Sequence, residues 1–285
     1  MRSLIDTHVH FWDPAELRYD WIVGSAVLDQ TYRPERLPRQ GADWQLEGLV
    51  MVQAECAHDQ AQAEVAWVSG LAAQHPFVRG MVAFAPLEQG ERAREHVAWL
   101  SQQPLVKGVR RLIQEEGPGF AVQPDFVRGV ALLADYGLSF DLCIRHYQLR
   151  DTIALVRQCP AVSFVLDHIG KPDIQHRLLD PWRAELAELA SLPNVVCKLS
   201  GLVTEADHQH WQPADLRPYI EHVLEVFGPE RVMYGSDWPV ATLAARYEQW
   251  VEALAQATAG LPEAAQRKLW VENARAFYRL ATNDA

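Results

Sequence analysis

Eight short runs of apolar or alternating residues are spaced along this sequence, at 4–10, 48–54, 78–85, 106–113, 138–144, 162–168, 195–200 and 232–237. Each has the length and composition of a strand. Between them lie segments with helical periodicity and good helix formers, at 59–74, 90–103, 124–136, 149–158, 181–190, 213–227 and 243–257. A strand that always feeds a helix before the next strand builds a parallel sheet, because parallel neighbours need a crossover connection. Eight such units, with no Gly/Ser linker or break in composition, predict an α/β chain forming one domain over residues 1–285, a distorted (β/α)8 TIM barrel. The first run is not followed by a G-x-G-x-x-G turn, which counts against a dinucleotide-binding sheet.

One connection is out of proportion. Residues 11–45 carry Pro14, Pro34 and Pro38 together with Trp12, Tyr19, Trp21 and Tyr32. Loops longer than about 15 residues are usually functional or disordered. The aromatic content predicts that this one packs, as a lid over the barrel mouth. A last helix at 262–280 is expected to cover the outside or the bottom of the barrel, with 281–285 as a frayed tail.

The charge balance, 26 Lys and Arg against 37 Asp and Glu for a net charge of −11, matches a polyphosphate backbone poorly, and the basic residues form no run. Nucleic acid is therefore excluded as a partner, and a small molecule is expected. Cys56, Cys143, Cys159 and Cys197 show no C-x-x-C spacing and read as buried thiols of a reducing compartment, the cytoplasm. An acidic residue and a histidine come too early for a signal peptide, and no apolar stretch approaches the roughly 18 residues of a membrane span. Oligomeric state is not readable.

Reactive groups of a barrel sit at the strand C-termini, where the βα loops form one face. The first strand ends Asp6-Thr7-His8-Val9-His10. Alternation puts His8 and His10 on one side, with Ile5, Thr7 and Val9 facing the helices, and two imidazoles so spaced can grip one cation. The eighth strand ends in Asp237, which closure of the sheet brings next to strand one. In strand six, alternation keeps Asp167 and His168 from both entering the barrel; His168 is assigned the site, leaving Asp167 to orient a neighbour. Lys171 and Lys198, two of only four lysines, fall at strand ends and are either buried ammoniums, which need a reason, or snorkelling rim residues.

Gln53 and Glu55 share a face at the end of strand two. Glu55 is a metal ligand, an acceptor for substrate hydroxyls, or a plain helix N-terminal acid. Of Arg110 and Arg111 only one can face inward; Arg110 is taken as the one that binds a carboxylate or developing oxyanion. Arg145 and His146 are weaker candidates. Trp12 and Trp238 either pack on a sugar ring or wall the mouth.

His8-x-His10, Asp167-His168-Ile169-Gly170-Lys171-Pro172, Lys198-Leu199-Ser200-Gly201 and Gly235-Ser236-Asp237-Trp238-Pro239, in this order along nearly the whole chain, resemble the amidohydrolase superfamily. Within it they are most similar to the sugar-acid lactonases, typified by fuconolactonase and rhamnonolactonase, with pyrone-dicarboxylate lactonase as a cousin. The resemblance implies hydrolysis of a lactone ester with His8, His10, His168 and Asp237 in the matching positions. Binuclear members carry a strand-four lysine or glutamate and a strand-five histidine. Strand four here offers arginines, so one divalent ion is expected, zinc from the imidazole and carboxylate donors, with metal-free catalysis as the alternative.

The expected chemistry has water attack the lactone carbonyl while Asp237 takes its proton and later protonates the departing ring oxygen. Other readings are a metal-dependent decarboxylase on the same barrel, a pyrone-dicarboxylate-type lactonase, and a non-catalytic sugar-acid binding protein.

Overall fold

The computed structural model describes residues 1–281; of the tail expected at 281–285, all but Ala281 lies outside the described residues. Eight parallel strands follow one another in chain order. They are β1 (Arg2–Val9), β2 (Trp44–Val52), β3 (Val78–Ala83), β4 (Val106–Val109), β5 (Ser139–Leu142), β6 (Phe164–Leu166), β7 (Val195–Leu199) and β8 (Val232–Tyr234). Each hydrogen-bonds to the next, and the ring is closed by a bridge between Val9 and Trp238, where the His10 N–H donates to the Trp238 carbonyl at 2.7 Å. The arrangement is that of a (β/α)8 barrel.

The outer layer is built by α1 (Ala61–Gln74), α2 (Arg94–Ser101), α3 (Pro124–Asp135), α4 (Leu149–Gln158), α5 (Trp182–Ala190), α6 (Pro213–Phe227) and α7 (Tyr247–Ala257). Pro124 and Pro213 open α3 and α6 at the one helical position where a missing N–H leaves nothing unpaired. Among the described residues no helix is long and apolar enough to cross a membrane.

Leu49, Met51, Phe140, Leu142, Leu166 and Leu199 pack outward in the main core with the helices. A second cluster, Ile5, Val50, Val52, Val82, Val165 and Met233, fills the barrel interior. The expectation that Ile5 faces the helices fails: between Asp6 and Val9 β1 carries one more residue than β2, and this bulge resets the inside–outside alternation between Ile5 and the His8–His10 end.

The last helical segment is broken, as α8 (Glu263–Arg267), a π turn at Lys268–Glu272 and α9 (Asn273–Phe277). Of the two placements expected for it, the bottom is found. Ala274, Tyr278 and Leu280 plug the end of the barrel opposite the strand C-termini.

The segment between β1 and β2 packs, as its aromatic content predicts. Trp12 and Tyr32 exchange backbone hydrogen bonds at 2.9 and 2.8 Å, and Trp12, Tyr19, Ile22, Leu28 and Tyr32 are buried. Strands four, six and eight stop short of their expected ends, at Val109, Leu166 and Tyr234. The residues beyond them leave the ladder to build the site.

Candidate active site

A cavity of about 460 Å³ opens at the C-terminal ends of the strands. Seven non-glycine residues among those described have positive φ, and four of them, Glu55, His168, Lys171 and Asp237, line this cavity. For residues with a side chain this backbone conformation costs on the order of 1–3 kcal/mol each, and it persists where the surroundings enforce it. Asp237 is fixed by its own N–H, which donates to the His8 carbonyl at 2.8 Å, and by β1 next to it.

At the cavity floor three imidazoles converge on one carboxylate oxygen. Asp237 Oδ1 lies 3.4 Å from His10 Nε2, 3.8 Å from His8 Nε2 and 3.9 Å from His168 Nε2, and the two Nε2 atoms of His8 and His10 are 3.2 Å apart. The protons on two of these rings point elsewhere. His10 Nδ1 faces the Val52 carbonyl at 2.8 Å, which can only accept. His8 Nδ1 faces the carboxylate of Asp167 at 3.2 Å, while the donor-only guanidinium of Arg110 approaches its Nε2 at 3.4 Å. His168 Nδ1 bonds Ser200 Oγ at 2.9 Å. On this network the Nε2 lone pairs of His10 and His8 turn toward Asp237, while the Ser200 hydroxyl, able to donate or accept, pairs with either tautomer of His168.

Burial pushes His8 well below the ordinary imidazole range and His168 down to about 4, so these two rings are neutral at physiological pH. An electron-rich set of this kind suits a divalent cation. Donor atoms about 2.0–2.2 Å from a tetrahedral ion stand roughly 3.3–3.5 Å from one another, close to the spacings found. His8, His168 and Asp237 form a group able to hold a metal ion; Cys143, Asp167 and His168 form another.

The sequence motif around Ser200 has a local reason. Gly201 is at φ +65°, and a Cβ there would lie 2.4 Å from His168 Nδ1, so only glycine lets Ser200 and His168 meet. Beneath His8, Lys198 is fully buried. Its ammonium donates to Asp141 Oδ2 at 2.5 Å and stands 3.0 Å from Asp167 Oδ1. Burial disfavours the charge, yet Asp141 and Asp167 raise Lys198 well above its ordinary range, and Lys198 in turn outweighs burial to lower Asp167.

The sequence profile of the amidohydrolase family matches residues 5–280. The chain belongs to the amidohydrolase family. It is similar to an L-fucono-1,5-lactonase of Burkholderia multivorans, 36% identical over 289 residues that cover 97% of this chain and 96% of the relative. An L-rhamnono-gamma-lactonase of Scheffersomyces stipitis is 24% identical, covering 98% and 99%. A crystal structure of an amidohydrolase from Burkholderia multivorans with bound zinc superposes with a TM-score of 0.86 at 36% identity, covering 98% and 99% of the two chains.

In this amidohydrolase the cavity wall includes His10, Glu55, Arg110, His168, Lys171 and Asp237. Arg110 turns inward, with Nη2 on the Gln53 carbonyl at 2.6 Å, and Arg111, paired with Glu88 and Glu116, lines the cavity too, so the expectation that only one of the two faces inward fails because β4 ends at Val109 and alternation stops there. Asp167 and His168 both enter the site, against the alternation rule, because β6 ends at Leu166 and His168 and Ile169 turn left-handed.

Glu55 stands apart from the donor cluster, bonded to Gln53 Nε2 at 2.9 Å and His58 Nε2 at 3.0 Å. Gln53 is buried behind it and does not line the cavity. Arg145 pairs with Glu115 at the surface, outside the lining, and His146 lies in a 3-10 turn away from it. Trp12 and Trp238 are buried wall residues, 0% and 4% exposed, with no face on the cavity.

The indole that does line the cavity is Trp21, 42% exposed and held by a bond from Nε1 to the Ala54 carbonyl at 2.8 Å. His58 and Gln114 line it as well; no spacing in the sequence marked them. Trp21 sits in the aromatic loop that the sequence singles out, but which of its rings faces the cavity depends on packing.

Proposed function

We propose that this chain, acting as one domain, opens the ring of a sugar-acid lactone, of the L-fuconolactone or L-rhamnonolactone kind, by water attack on the carbonyl. The convergence of three imidazole rings on the Asp237 carboxylate at the cavity floor carries this reading. It is supported by the lactonases among the relatives.

His8, His10 and Asp237, with His168 beside them, are the residues that would hold a divalent ion, zinc by the chemistry of the donors. Such an ion supplies polarisation of the carbonyl and acidification of water. Asp237 accepts the proton of the attacking water as the new C–O bond forms. It returns that proton to the ring oxygen as the acyl–oxygen bond breaks, leaving a hydroxy acid. Arg110, close to His8 and the floor, faces the oxyanion of the tetrahedral intermediate, and Lys171 and His168 flank it.

Cation bookkeeping in the cavity favours a neutral, hydroxylated substrate over a pyrone dicarboxylate. Arg111 is committed to Glu88 and Glu116, Arg110 stands 3.6 Å from Asp167, and Glu55, Glu115 and Asp237 add negative charge to the lining, which leaves Lys171, bonded to the neutral Gln114 at 2.5 Å, as a single uncompensated cation where a dicarboxylate needs two. Glu55 and His58 suit sugar hydroxyls, and Trp21 suits the apolar face of a ring. The four free, buried thiols support a cytoplasmic setting.

A pH-indicator screen of aldonolactones and aromatic-acid lactones tests this. Net acid release on aldonolactones is expected. Carbon dioxide released from an aromatic acid without net acid would favour a decarboxylase, and ligand affinity in calorimetry without turnover would favour a binding protein.

A further inference from the structure

The layer of the barrel directly under His8 is charged, although the layers below it are filled by Val50, Val52, Val82, Val165 and Met233. Asp141, Asp167 and Lys198 are each fully buried there. An apolar set of similar volume in such a place is often as stable or more so, so a buried charge cluster calls for a reason other than stability.

We propose that Lys198 is a positioning residue for the donor cluster: its ammonium fixes the Asp167 carboxylate against Nδ1 of His8, so that His8 presents Nε2 to the bound ion, and Asp141 and Tyr278 anchor that ammonium from the barrel floor.

The contacts converge on His8 Nδ1, which has Asp167 Oδ1 at 3.2 Å and the donor-only Lys198 ammonium at 3.4 Å; of the two, only the carboxylate can accept a ring proton. Tyr278, from the segment that plugs the barrel, donates its hydroxyl to Asp141 Oδ2 at 3.2 Å, and its ring lies 5.6 Å from the Lys198 ammonium. Lys198 donates to the same Asp141 oxygen at 2.5 Å and stands 3.0 Å from Asp167 Oδ1. That Asp167 oxygen is 3.2 Å from His8 Nδ1. Neither carboxylate oxygen of Asp167 receives a well-aligned hydrogen bond, and both are buried, so its orientation depends on the charges around it. Lys198 is the nearest of these cations; Arg110 is next, at 3.6 Å from Oδ2. Groups that orient a metal-ligating histidine through its second nitrogen fix its tautomer and typically change metal affinity by about 10–100-fold when removed.

The inference rests on the proposed metal reading, and two measurements separate them. In apo-protein labelled with 15N-histidine, His8 of the wild type is expected to carry its proton on Nδ1. Lys198→Met is expected to move His8 toward the Nε2–H form and to weaken zinc, read by competition with a chromophoric chelator, by about 10–100-fold. A folded Lys198→Met with the wild-type tautomer and zinc affinity overturns the proposal.

If that variant does not fold, Tyr278→Phe keeps the ring and removes only the hydroxyl that donates to Asp141. It is expected to weaken zinc at least about threefold, and unchanged zinc affinity overturns the proposal equally. A wild type without zinc affinity counts against the metal reading, while the tautomer of the metal-free protein still decides the role of Lys198.

Discussion

The backbone N–H of Asp237 donates to the carbonyl of His8 at 2.8 Å, so the hydrogen bond that closes the barrel also sets the site. The two residues come from opposite ends of the chain. Their side chains meet because β8 and β1 are neighbours in the ring and both leave the regular ladder at the cavity floor. Asp6 reinforces the seam from outside the site, accepting from the N–H groups of Ser236 and His8 and from the Tyr247 hydroxyl. Closure and chemistry therefore share the same few bonds.

Removal of the ion is expected to act on turnover rather than on the fold. Dialysis against a chelator should lower lactone hydrolysis, and stoichiometric zinc should restore it, with the far-UV circular dichroism unchanged throughout. His10→Ala removes one donor and is expected to weaken zinc by at least about tenfold. Equal zinc affinity in variant and wild type would remove His10 from the ligand set.

The two tryptophans of the long β1–β2 segment should separate cleanly. Trp21→Ala is expected to raise KM several-fold with little change in Tm, because its indole is half exposed and borders the cavity. Trp12→Ala, by contrast, empties a fully buried site and is expected to cost about 3–5 kcal/mol of stability. Thermal melts and steady-state kinetics on both variants check the split; a wild-type KM in Trp21→Ala would exclude it from substrate contact.

Gly201→Ala tests how tightly His168 is placed. The added Cβ would fall 2.4 Å from His168 Nδ1 on a backbone at φ +65°. A loss of about 1–3 kcal/mol in stability is expected, together with a fall in kcat as the Ser200 contact breaks. Thermal melts and kinetics read both, and unchanged kcat would show that His168 tolerates displacement.

Stability should carry a pH signature from Glu64, a fully buried carboxyl on α1 that accepts from the Ala54 N–H at 2.9 Å. Burial pushes it up to about 7, against the opposing bond from Ala54. A group raised in the folded state binds more protons there than in the unfolded chain, so its contribution is complete below the unfolded value near 4.5 and lost as pH rises through about 7. The full span corresponds to about 3 kcal/mol. Glu64→Gln keeps the acceptor for Ala54 and is expected to flatten the decline of Tm between pH 5 and pH 8; an equally steep decline would assign it to other groups.

The barrel was legible because alternating strand and helix signals repeat through the whole chain, and the pairing of Asp237 with His8 and His10 followed from closure alone. What alternation could not reach was the backbone after the strands end. His168 and Asp237 take left-handed conformations that no residue type announces, so the prediction that Asp167 and His168 exclude each other failed.

Ile5 escaped for a related reason, since a bulge in β1 is invisible to a period of two. Trp21 and Trp12 are chemically identical in sequence, and only packing against Tyr32, Trp238 and Ala54 decides which one meets the cavity. Lys198 reads from the sequence as a buried ammonium or a rim lysine and is the former, but the reason for its burial was not legible, because its partners Asp141 and Tyr278 come from other elements.

The role of Asp237 is most directly open to test by proton release from L-fucono-1,5-lactone, followed with a pH indicator for zinc-loaded wild type and for Asp237→Asn, which preserves shape and removes the base. Wild-type turnover well above the buffer rate is expected, with kcat of the folded variant lower by at least about a hundredfold. Wild-type protein no faster than buffer, or an Asn variant that keeps pace with it, would contradict a hydrolytic centre built on Asp237.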